Sequence, residues 1–239
     1  MNRAVPGRGN VSHADSGLRS VRVWDLPTRA FHWVLALTVI GSVVSAKIGG
    51  NAMAWHFRFG YLVLALLAFR LLWGLVGGRW SRFASFVYAP ATLLRYLRGQ
   101  SRADEHHEVG HSPLGSLSVF ALLGFLAVQV ATGLVADDEI ASVGPLNRFV
   151  SDAVADAATH WHKHYGQWIL LTLLALHVLA VLYYLLVRNK NLVRPMIGGD
   201  KQLPANTPAA VDNLGTRLLA LVAVALCVAG AAWVASFAN

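Results

Sequence analysis

The chain has 239 residues, of which 56% are hydrophobic and 13% charged, whereas a soluble domain carries about 25% charged residues. With a mean hydropathy of +0.50 it reads as an all-α membrane protein, and its single cysteine, Cys227, excludes a disulfide framework, a four-cysteine zinc site, an iron–sulfur cluster and covalent C-x-x-C-H haem attachment. The net charge of +8 would suggest nucleic acid in a soluble protein; here the basic residues sort by side of a bilayer, and no nucleic-acid partner is expected.

Crossing the hydrocarbon core as a helix takes roughly 20 mostly apolar residues. Five stretches qualify, near Ala30–Ile48, Ala54–Val76, Leu114–Val135, His162–Val187 and Leu218–Phe237. Residues 1–18 are polar, with Pro6, Gly7, Gly9 and Asp15, and read as a flexible segment rather than a signal peptide. Residues 19–197 form the four-helix unit and residues 198–215, with Pro204 and Pro208, a linker that sets a fifth helix (216–239) apart. Between spans 2 and 3, ATLLRYL (91–97) reads as a short amphipathic helix at the interface, with Arg95 and Arg98 reaching headgroups. Cys227, set among Leu, Val and Ala, reads as a packing residue.

The connections separate by charge. Arg19, Arg22 and Arg29 precede span 1; Arg79, Arg82, Arg95, Arg98 and Arg102 follow span 2; Arg188, Lys190, Arg194, Lys201 and Arg217 lie between spans 4 and 5. These are expected on the cytoplasmic side, so that the N-terminus is cytoplasmic and the C-terminus periplasmic. The opposite loop, with Asp137, Asp138, Glu139, Asp152 and Asp156, is net acidic. It is a candidate docking surface for a basic partner protein.

Ionisable side chains inside spans point to function, and the histidines fall at chosen depths. His32 sits at the cytoplasmic start of span 1 and His56 at the outer start of span 2. Span 4 carries His162 and, 15 residues later, His177, about 22 Å deeper and about 60° apart around the helix. Matching depths pairs His32 with His177 and His56 with His162. Two neutral imidazoles close the coordination of a haem iron, which suits electron transfer rather than oxygen binding. His160 and His164 compete with His162: their angular offsets from His177 are about 100° and about 140°, and a π-bulge would hand the role to His164. His13, His106, His107 and His111 lie in polar segments and read as solvated. Arg70 lies 14 residues beyond His56 on nearly the same face; it and Arg58 are candidates to bind haem propionates. A competing reading is a polytopic transporter or proton pathway that uses these His and Arg side chains as relays, but the ligand-depth pattern favours haem.

The segments VRVWDLPTRAFHW, AWHFRFGYLVLALLAFRLLWG, GHSPLGSLSV and WHKHYGQWILLTLLALHVLAVLYY resemble the prokaryotic cytochrome b561 and nickel-iron hydrogenase b-type cytochrome family over about residues 20–197. The resemblance implies a bacterial inner-membrane four-helix bundle with two b haems, ligated from the first, second and fourth helices, the fourth giving two. It carries over to His32, His56, His162 and His177. The family's spacing within the last ligand helix is one residue shorter and falls on Lys163, so His162 and His164 both stay open. It further implies electron exchange between the quinone pool and a partner redox protein, either a c-type cytochrome or a dehydrogenase or hydrogenase subunit, the chain acting as an electron-transfer protein or quinone oxidoreductase subunit.

Overall fold

The computed structural model describes residues 17–102, 109–137 and 142–238. It contains eight α-helices and one two-stranded sheet among these residues: β1 Leu18–Arg22, α1 Leu26–Ile48, α2 Met53–Val76, α3 Pro90–Leu97, α4 Pro113–Val135, α5 Asp152–His160, α6 Gln167–Leu186, α7 Val193–Gly198, β2 Asp200–Pro204 and α8 Leu214–Ala235. A π-helical turn, Trp161–Gly166, joins α5 to α6 without a break. Five apolar stretches are long enough to cross a membrane, as expected, but the fourth begins at Asp152, ten residues before the expected start. Its added turns are α5, DAVADAATH, an alanine-rich segment that buries only Ala155 and Ala158. Helix propensity rather than hydropathy extends the helix here. The expected flexible N-terminal segment falls almost wholly outside the described residues.

The bundle is organised around α2, which packs against α1, α4 and α8, while α4 packs against α6. Two apolar layers fill it. Val39, Val63, Leu67, Leu126 and Leu170 join α1, α2, α4 and α6. Phe31, Leu66, Phe69, Trp73 and Ala220 bring in α8, with Ala223, Val224 and Cys227 packed beside them. The fifth helix is therefore not set apart: its small residues let it lie close against α2. Outward side chains such as Leu37, Leu75, Leu186 and Leu221 are exposed, as a lipid-facing surface requires.

The start of α1 is fixed by a buried carboxylate. Asp25 is 0% exposed. Its Oδ1 accepts from the Thr28 amide at 2.8 Å, the helix N-cap bond, and from Trp73 Nε1 at 3.2 Å. Its Oδ2 accepts from the Gly78 amide and Ser81 Oγ, both at 3.0 Å. A Cβ at position 78 would lie 2.2 Å from Oδ2, so only glycine lets the chain after α2 reach this carboxylate. One side chain thus joins the beginning of α1 to the end of α2 and the turn beyond it.

The segment expected to be a linker is built into a clasp at this same end. β2 pairs antiparallel with β1, Leu18 opposite Pro204 and Arg22 opposite Asp200, over a cluster of Val21, Val23, Trp24, Val109 and Leu203. Asp212, with a side chain only 3% exposed, accepts from Arg22 Nη1 at 2.8 Å, Arg217 Nε at 2.8 Å and the Leu26 amide at 3.2 Å, and Arg29 stands 3.9 Å away. Three arginines read as positive flanks thus converge on one carboxylate. In α3, Arg95 bonds Thr92 Oγ1.

Two outcomes follow for the fold. Asp25→Ala strands buried donors on Trp73, Gly78 and Ser81 and should cost about 3 kcal/mol or more, read as a lowered thermal midpoint in detergent. For Asp212, burial pushes the carboxyl up, but the Arg217 hydrogen bond and the Arg217 and Arg22 charges more than offset this, leaving it below its ordinary value. A depressed folded-state value contributes stability above the unfolded value of about 3.9 and loses it as pH falls through that range. Hydrogen exchange of the β1–β2 amides, corrected for intrinsic rate, should therefore rise in acid, and Asp212→Asn should show that loosening already at pH 7.

Candidate functional site: two histidine pairs

At the end away from the clasp, His56 lies in the first turns of α2 and His162 in the π-turn. Their ring centroids are 6.0 Å apart with planes at 84°. His56 Nδ1 is 2.9 Å from the Ser42 carbonyl of α1, and His162 Nδ1 is 2.9 Å from the Gln129 carbonyl of α4. A carbonyl only accepts, so each Nδ1 carries the proton and each Nε2 keeps its lone pair, the tautomer a metal needs. Gln129 also donates from Nε2 to the His162 carbonyl at 2.9 Å, which fixes the π-turn on α4. A Cβ at Gly133 would stand 2.9 Å from the His162 ring, so α4 gives the imidazole room by having no side chain there.

At the clasp end, His32 of α1 and His177 of α6 have centroids 6.4 Å apart and planes at 50°. Ser118 Oγ is 3.4 Å from His177 Nδ1, and His32 Nδ1 is buried with no hydrogen-bond partner. Two imidazoles on opposite sides of one first-row metal ion, with bonds of about 2.0 Å and ~1.2 Å from nitrogen to ring centre, have centroids about 6.4 Å apart. Both pairs match this spacing. A direct imidazole hydrogen bond is not needed to explain either of them.

The sequence-expected arginines separate. Arg70 is 4% exposed, its guanidinium 4.6 Å from the Phe83 ring, and its Nη1 is buried without a partner. A buried guanidinium nitrogen without a protein acceptor is a place for an anion. Arg58 is exposed on α2 with its guanidinium 4.7 Å from the Trp55 ring. It does not line the 530 Å³ cavity around His56 and His162. The charged residues that do are Lys47 and Lys163, which sequence reasoning missed because a lysine at the end of a span reads as a headgroup contact. Lys47 Nζ donates to Gln167 Oε1 at 3.0 Å. The rest of the cavity wall is largely apolar, with the buried Val39, Leu126 and Leu170 and with Gly133 beside the His162 ring.

One further histidine is placed differently from expectation. His111 is not solvated: its ring lies 4.4 Å from Phe86 and 4.7 Å from Trp24. Burial, helped by the charges of Arg70 and Lys201, pushes it down to about 3, so it is neutral. The aromatic residues that enclose it come from distant segments and give no local signal. The His164 ring lies 4.8 Å from that of His160. His13, His106 and His107 lie outside the described residues. Among the described residues, no three His, Cys, Asp or Glu side chains gather as a metal cluster.

An apolar bundle that holds a pair of imidazoles at each end defines a multi-pass membrane protein equipped to ligate metal in a water-poor interior. The chain belongs to the prokaryotic cytochrome b561 family, whose model matches residues 23–199. It is similar to the probable Ni/Fe-hydrogenase B-type cytochrome subunit of Bradyrhizobium diazoefficiens, 24% identical over 78% of this chain and 87% of the relative. It is likewise similar to that of Cupriavidus necator, 25% identical over 76% and 87%. No solved structure matches. The protein is thus a b-type membrane cytochrome of the inner membrane that binds haem b and acts in electron transfer.

A side chain at Gly133 should disturb one pair alone. Gly133→Val is expected to displace the His162 ring from its place beside His56 and lower the haem b content of the purified protein, with the far-ultraviolet circular dichroism unchanged.

Proposed function

We propose that the chain holds two b haems, one between His32 and His177 and one between His56 and His162, and carries electrons across the membrane between the quinone pool and a partner redox protein. The observation that carries this reading is the centroid spacing of both pairs, 6.4 and 6.0 Å, which is that of two imidazoles facing one iron. Haem b ligated in this way supplies one-electron transfer at an iron with no open coordination position.

The protein's own residues supply the rest. The Ser42 and Gln129 carbonyls hold His56 and His162 in the ligating tautomer. Arg70, buried with a free Nη1, is the carboxylate partner for propionates at the clasp end. At the other end Lys47 and Lys163 take that role, in place of the exposed Arg58. Apolar walls keep water out and favour non-covalent retention of the porphyrin. Since α6 and the π-turn form one helix, the two sites stand about 22 Å apart along the membrane normal.

Under the positive-inside rule the clasp, rich in arginine, is cytoplasmic and the cavity with Lys47 and Lys163 opens on the periplasmic side. The names of the relatives support a hydrogenase as the partner; a c-type cytochrome docking at the acidic loop is the second candidate. Of that loop, Asp137 is described, whereas Asp138 and Glu139 lie outside the described residues. A proton-relay reading is less well supported, because His56 and His162 are each tied to backbone carbonyls rather than to titratable neighbours.

The test is stoichiometry with ligand replacement. Pyridine haemochrome analysis should give close to two haems per polypeptide, and His177→Ala and His56→Ala should each remove one and leave the other spectrally intact. A colourless protein from haem-replete cells, or loss of both haems in either folded variant, would overturn the proposal.

A further inference from the structure

The π-turn presents two histidines that the paired sites do not use. His160 ends α5 and His164 sits within the turn, with centroids 4.8 Å apart and planes at 36°. This is too close for two imidazoles facing each other across one ion, which requires about 6.4 Å, but it fits two that share an ion from adjacent positions. With bond angles between 90° and 109° the same bond lengths give about 4.5–5.2 Å.

Position and environment agree with this. The continuous helix from Asp152 to Leu186 has 35 residues, about 52 Å against a hydrocarbon core of about 30 Å. Its first turns therefore stand in the water-accessible interface, and both rings are exposed. Neither ring is hydrogen-bonded among the described residues. Asp156, one turn before His160 and also exposed, adds negative charge on the same side. The two residues are four apart, the spacing by which helical histidines share a metal, and His162 between them points the other way, toward His56.

We propose that His160 and His164 form a binding site for a divalent transition-metal ion of the Zn²⁺ class, with water completing its coordination, on the outer surface of the π-turn. An ion held there ties together the two ends of the segment that carries His162. The site does not depend on how the haems are ligated, provided His164 is not itself a haem ligand.

The experiment is a calorimetric titration of tag-free, haem-loaded protein in detergent with Zn²⁺. One site per chain with micromolar affinity is expected, weakened at least about tenfold by His160→Gln and by His164→Gln, with haem absorption unchanged in both. A His13→Gln, His106→Gln, His107→Gln triple variant should bind as the wild type does. Absence of binding up to ~100 µM Zn²⁺, wild-type affinity in either single variant, or loss of the site in the triple variant would overturn the proposal. Loss of haem absorption in His164→Gln would also overturn it, by making His164 a haem ligand.

Discussion

Asp25 is the constraint on which the arrangement of the bundle rests. A carboxylate fully removed from solvent is costly unless its lone pairs are taken up, and here four donors take them, from the α1 amide, the α2 indole of Trp73, and the Gly78 and Ser81 groups beyond α2. Because these donors come from both helices, α1 and α2 are fixed against each other at one end. The consequences run along both helices. His32 follows Asp25 by about two turns and meets His177, and further along α1 the Ser42 carbonyl reaches His56.

At the clasp end three arginines converge on one carboxylate. Arg22, Arg29 and Arg217 gather on Asp212, and Arg22 also pairs with Asp200. This ties the strand before α1 to the residues before α8, so the helix added beyond the four-helix unit is held by ion pairs at its entrance and by Ala220, Ala223 and Val224 within the bundle. Arg70 is placed differently. It lies against aromatic rings with a buried Nη1 that no protein atom satisfies, the observation behind its proposed role as a partner for a haem propionate.

Much of this was legible in the sequence because the bilayer simplifies the code. Span length is set by the thickness of the hydrocarbon, and an ionisable residue inside a span declares its depth by counting 1.5 Å per residue. That counting paired His32 with His177 and His56 with His162, and the structure brings these same rings together. What was not legible depends on long-range partners or local backbone irregularity. DKQLP is too short and polar to announce a strand, and its partner lies some 180 residues earlier. His111 is enclosed by Trp24 and Phe86, which no local pattern foretells. The choice between His162 and His164 rests on the π-turn, which changes the angle per residue where two candidates stood two residues apart. Lys47 and Lys163 were passed over because a lysine at a span end ordinarily reads as a headgroup contact.

The central claim, two closed bis-imidazole sites stacked through one bundle, is tested most directly by low-temperature electron paramagnetic resonance of the fully oxidised protein. Both irons should be low-spin, giving two distinct ferric signals, because the two pairs differ in environment and in ring-plane angle, 84° against 50°. No high-spin signal should be present. A single low-spin species at full haem loading, or a high-spin component equivalent to one of the two haems, would contradict the account.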